Sequence, residues 1–195
     1  MPAFKLPFFK RTCRLLSIGL VCAASYSYGA EPMQDQAFTP LFDATAGRLQ
    51  IARLVVLAKW DSHQAIEDPT REEVVISTAA NQAAAQGLSR AFAVRFFSDQ
   101  IEANKVVQYG LLSNWRRAGK APDEPRPNLV EDIRPRLDRL QVDFIQQLVA
   151  TQDLRKEKDC PTRIAKASSL YAVEHHLDAL YVVAFDRALA RVCQD

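Results

Sequence analysis

The segment GRLQIARLVVLAKW, residues 47–60, carries two cations inside an apolar run. At about 100° per residue, positions eleven apart nearly superpose on a helix, so Arg48 and Lys59 point the same way. Leu41, Ala52, Val55 and Val56 share their face, while Asp43, Gln50, Arg53 and Asp61 occupy the opposite one. A cation in an apolar interior is costly unless something of opposite charge meets it. Asn104 and Gln108, one turn apart, share a face with Phe97, Ile101, Leu111, Leu112 and Trp115, and buried amides also need partners. Arg134 lies at the edge of an arc formed by Val130, Leu137, Ile145 and Leu148. Arg71 falls in the first turn of a helix opened by Asp68 and Pro69, the end where the helix dipole prefers an anion. Singly, each cation could reach solvent along its own stem or pair with an acid such as Asp68, Glu72 or Asp138. As a set, the converging cations are costly to bury, and a small polyanion with two carboxylates would relieve that cost.

Other chemistries lack their residues. His63 is isolated, and Glu174, His175 and His176 are adjacent on an expected helix, so their side chains diverge and make a poor metal site. No Ser/His/Asp or Cys/His arrangement has a recognisable context, and no glycine-rich phosphate loop is present. Neither a metal nor a cofactor is expected. Binding and electrostatics are what this side-chain set can supply.

The elements that must position these groups come from a chain of 195 residues, 48% hydrophobic, with a net charge of +2 and charges of both signs interspersed. That make-up suits one domain with a substantial core and argues against a nucleic-acid surface or a polybasic membrane patch. Residues 1–30 stand apart: Lys5, Lys10, Arg11 and Arg14 precede an apolar run of small residues, and the first acid is Glu31. This order is that of a secretory signal peptide, and the run is short for a membrane span. Its removal leaves residues 31–195 as the mature domain, with Cys160 and Cys193 as its cysteines. An even count in an exported chain favours one disulfide, two free buried thiols being the other reading.

Helical periodicity runs through every long segment after residue 34, and glycine is too scarce for the turns of an all-β protein. The expectation is an all-α, single-domain bundle of about six helices. They are placed near 36–62, 69–86, 89–118, 129–151, 161–173 and 175–193, with GKAPDEPRPN as the one obvious loop and DLRKEKDCP as a break.

Taken together, GRLQIARLVVLAKW, IEDPTREE, FFSDQIEANKVVQYGLLSNWR, IRPRLDRL and DCPTRIAKASSLYAVEHHLDALY, with the closing Cys193, resemble the all-helical chorismate mutases of the exported, periplasmic or secreted subclass. The likeness spans about residue 38 to the C-terminus. It implies a type II-like bundle that rearranges chorismate to prephenate without a cofactor, in a site within one subunit of a homodimer, with no membrane association once mature. It implies that Arg48, Arg71 and Arg134 hold the two carboxylates, and that Lys59 and Gln108 flank the ether oxygen of the breaking bond. Glu72 matches a glutamate that binds the substrate hydroxyl, Asp68 matches the acid three places before Arg71, and Asn104 stands where relatives often have Ser or Thr as a substrate contact. Val75 departs from a glutamine found in some exported members, and Cys160 with Cys193 matches the subclass's disulfide. The rival readings are an isochorismate pyruvate lyase on a similar scaffold and a non-catalytic exported helical protein that binds an aromatic acid or a host partner.

Overall fold

A computed structural model describes residues 36–193. The leader assigned to residues 1–30 lies outside them. The described residues are all-helical, with α1 at Thr39–Trp60, α2 at Pro69–Ala85, α3 at Arg90–Ala118, α4 at Arg134–Ala150, α5 at Gln152–Lys156, α6 at Cys160–Glu174 and α7 at Ala179–Leu189.

Helix α1 is apolar over most of its circumference, with Leu41, Phe42, Leu49, Ile51, Ala52, Val56 and Leu57 all buried, which is the signature of a helix at the centre of a bundle. It packs against α3 and α4, while α3 also packs against α2 and α7. Three small residues of α2, Ala79, Ala80 and Ala83, are fully buried and let that helix approach α3 closely. Around them Phe38, Phe42, Phe92, Phe96, Phe97, Phe144 and Phe185 form the main core.

The helix ends follow from local chemistry. Asp68 Oδ1 accepts from the Arg71 amide at 3.1 Å, with Pro69 at the first helical position. Ser89 caps α3 by accepting from the Phe92 amide, and Gly119, left-handed at φ 73°, closes that helix. Asp178 Oδ1 accepts from the amides of Leu180 and Tyr181 at the start of α7.

Four expectations need correction. The last helix starts at Ala179 rather than residue 175, because Leu177 and the Asp178 cap follow a turn in which His176 takes φ 51°. His175 and His176 are therefore turn residues, not neighbours on a helix. The break expected at DLRKEKDCP contains the short helix α5, held by fully buried Arg155, whose guanidinium stacks on Phe92 at 4.2 Å and donates to the Leu148 carbonyl at 3.1 Å. The fourth helix does not run evenly from residue 129: Leu129–Ile133 is a π-helical turn, capped by Asn128, ahead of α4. The favoured disulfide, by contrast, is present: Cys160 and Cys193 are joined, which ties the start of α6 to the turn after α7.

One interaction across α3 and α7 has no counterpart in the sequence reading. The buried Asp99 carboxylate accepts from Arg187 Nη1 and from Arg191 Nε, the latter at 2.7 Å. With the pair of arginines in place the buried charge is compensated.

Candidate active site

The eight polar residues singled out from the sequence, Arg48, Lys59, Asp68, Arg71, Glu72, Asn104, Gln108 and Arg134, all line one cavity of about 490 Å³. Helix α1 contributes Arg48 and Lys59, α2 and its cap contribute Asp68, Arg71 and Glu72, α3 contributes Asn104 and Gln108, and α4 contributes Arg134. Apolar wall is supplied by Val55, Ile101, Ile133 and Leu137, with Val75 beside them. The volume suits a molecule of small-ligand size. A larger groove of about 700 Å³ between α6 and α7 is mostly apolar and contains none of these cations.

Arg48 is the deepest of the cations, 7% exposed, and its Nε has no hydrogen-bond partner in the protein. Burial pulls the guanidinium down from its ordinary value to about 10, which still leaves it a cation at neutral pH. Lys59 is half-buried, and its ammonium donates to the carbonyls of Ala65 at 2.7 Å and Ile66 at 2.9 Å. Burial lowers this ammonium from its ordinary value, against an opposing pull from Asp68 and Glu72. Arg71 is partly exposed, and Arg134, expected at the edge of an apolar arc, is exposed.

The amides are deeper. Asn104 and Gln108 are 7% and 5% exposed. Gln108 Nε2 donates to Asn104 Oδ1 at 2.6 Å, and Asn104 Nδ2 donates to the backbone carbonyl of Arg48 at 2.9 Å. Gln108 Oε1 has no partner in the protein.

The acids weighed in the sequence as partners for the cations do share their cavity. Glu67, Asp68, Glu72 and Asp138 also line the cavity. Asp68 is occupied as the α2 cap, and Glu72 Oε1 accepts from the Asp68 amide at 3.2 Å, which locks the turn that presents Arg71. Glu72 Oε2 accepts from Lys105 at 3.0 Å. Lys105 was missed in the sequence, although it lies one turn from Ile101 and three residues from Gln108, within reach of the face already assigned. Its burial, which lowers the ammonium, is outweighed by the hydrogen bonds of Glu102 and Glu72, so it sits above its ordinary value. Lys105 is thus committed to carboxylates, whereas Arg48 forms no ion pair among the described residues.

Residues 40–109 match the family model for chorismate mutase type II, a span that includes α1, α2 and most of α3 with seven of the eight polar residues. The chain is 31% identical over 155 residues, 79% of this chain and 77% of the relative, to the secreted chorismate mutase of Mycobacterium tuberculosis. The chain belongs to the chorismate mutase type II family. It is an isomerase by that membership. The crystal structure of a chorismate mutase from Burkholderia phymatum superposes with a TM-score of 0.80 at 46% identity, covering 83% of this chain and 99% of that one. One from Burkholderia thailandensis gives 0.77 at 35% identity, covering 81% and 99%. The exported location is in keeping with relatives that are secreted, and among the described residues no helix of this chorismate mutase is long and apolar enough to cross a membrane.

Proposed function

We propose that the cavity binds chorismate as a dianion and carries out its rearrangement to prephenate by folding and charge stabilisation alone. The observation that supports this most is that the unpartnered Arg48 guanidinium Nε, the buried Gln108 amide and Lys59 line one cavity. Arg48, Arg71 and Arg134 approach from three different helices, the arrangement needed to grip two carboxylates at once. Holding both fixes the compact conformer in which the reacting carbons are close, so ordering is supplied by binding rather than at the barrier.

As the ether C–O bond breaks its oxygen gains negative charge. Lys59 and Gln108 meet that oxygen as an ammonium and an amide N–H, in a setting partly screened from water where such donors count for more. No proton leaves or joins the substrate, and no covalent bond forms with the protein. Glu72 keeps acceptor capacity beyond its two bonds and takes the substrate hydroxyl. Asp68 acts through its cap, by setting the turn that carries Arg71. Residues 1–30 are a cleaved leader in this reading. The mature enzyme is a homodimer, and the exposed Leu170, Val173 and Val183 of α6 and α7 offer an apolar face for that contact.

The deciding experiment follows the ultraviolet absorbance of chorismate on adding the oxidised mature chain, with prephenate identified by acid conversion to phenylpyruvate. Loss of chorismate with prephenate formed is expected. Turnover of isochorismate to pyruvate and salicylate instead would move the site to lyase chemistry, and binding without turnover would make it a receptor.

A further inference from the structure

The two buried amides of α3 are linked in a fixed order. A backbone carbonyl can only accept, so the Arg48 carbonyl obliges Asn104 to turn its Nδ2 toward α1. Asn104 Oδ1 must then face the other way, where it meets Gln108 at 2.6 Å. An acceptor in that place obliges Gln108 in turn to present Nε2. A glutamine amide is otherwise close to symmetric in shape, and either end could lie toward the ligand. Here the choice is made by a carbonyl on a different helix, through one intervening side chain.

We infer that Asn104 is a positioning residue, which acts through Gln108 by fixing its amide as an N–H donor. The inference rests on the mutase reading for what that donor meets, but the orientation itself follows from the hydrogen bonds alone. Gln108 Nε2 carries two hydrogens. One is committed to Asn104, and the second is left for a ligand oxygen in the cavity that Gln108 lines. The direct contact between Asn104 and substrate that the family resemblance suggests is not needed for this role, because both polar ends of Asn104 are already engaged. Serine or threonine at this position could donate or accept and would leave the Gln108 amide free to turn.

Two measurements test this. The first is independent of activity. In the nitrogen-proton NMR spectrum of the oxidised mature chain, with Gln108→Ala identifying the signal, one Gln108 side-chain proton should be protected from solvent exchange. That protection should vanish in Asn104→Ala, with Asn104→Ser as the second variant should alanine weaken the fold. Equal protection with and without Asn104 would overturn the inference. The second is a double-mutant cycle. Asn104→Ala should lower kcat about tenfold with little change in KM when Gln108 is present, and should have under a twofold effect in the Gln108→Ala background. An equal loss in both backgrounds, or a loss confined to KM, would make Asn104 an independent substrate contact and overturn the positioning role. Wild-type chain that forms no prephenate yet shows the Asn104-dependent protection would refute the mutase reading and leave the amide order standing.

Discussion

The Lys59 ammonium is held by the Ala65 carbonyl at 2.7 Å, six residues further along the chain. The cation assigned to the breaking bond is therefore aimed by the turn that leads from α1 toward the α2 cap, the same turn that leads to Arg71. Position and charge arrive together, in a group whose other hydrogen-bond acceptor is the Ile66 carbonyl.

Lys59→Ala should lower turnover by about a hundredfold or more, the usual effect of removing one donor from a developing oxyanion. Circular dichroism and the thermal midpoint should change little, since the lysine contributes no core packing. Near-normal turnover would refute its role.

The pH dependence follows from the same group. Lys59 sits below its ordinary value of 10.5, through burial first, so it loses its charge earlier on the alkaline side than a free lysine would. Activity should fall as pH rises, with a midpoint under 10.5. Gln108 has no proton to lose, so no further decline is expected through neutral pH. A kcat profile confined to acidic solution would contradict this assignment.

Arg48→Met separates function from stability. The arginine's value is pulled down by burial, which means that keeping it charged at neutral pH costs the fold stability. Replacing it with an apolar side chain of similar length should leave the thermal midpoint unchanged or raised, as for other buried charges. The same variant should lose at least about a hundredfold in kcat/KM, and a dicarboxylate inhibitor should no longer raise its melting temperature.

Opening the disulfide should act on stability and spare the site. Cys160 and Cys193 are 33 residues apart, and closing such a loop is worth about 4 kcal/mol in the chain-entropy model. Cys193→Ser should shift the denaturant midpoint downward by a corresponding amount. Its specific activity at 25 °C should stay within about twofold, because neither cysteine lines the mutase cavity.

Val173→Asp tests the proposed subunit contact. Val173 is 73% exposed on α6, next to Leu170 at 63%. A charge there should halve the mass seen by sedimentation equilibrium if this face joins the subunits, and leave it unchanged if another does.

The bundle was legible because its helices carry their own punctuation: Asp68 before Pro69, Ser89 before α3, and Gly119 after it are all seen in the residues themselves. The site was legible for a related reason. Arg48, Asn104 and Gln108 are polar groups at positions the helical repeat assigns to the interior, and each is indeed buried. What stayed hidden depended on partners far away in sequence. Lys105 reads as an ordinary helix cation until α2 brings Glu72 to it, and Asp99 reads as a surface acid until α7 and the turn after it supply Arg187 and Arg191. The π-helical turn before α4 leaves no mark in periodicity, since it shifts the phase by a single residue. The start of α7 was misplaced because His176 adopts a left-handed backbone usually signalled by glycine or asparagine.

All eight of the side chains gathered from the sequence come from the same polypeptide, on four helices that are packed into one core. The chemistry proposed above calls on no group from a neighbour. The rate per molecule should therefore be indifferent to dilution, and a single copy fixed to a bead or displayed on a cell surface would be a complete catalyst.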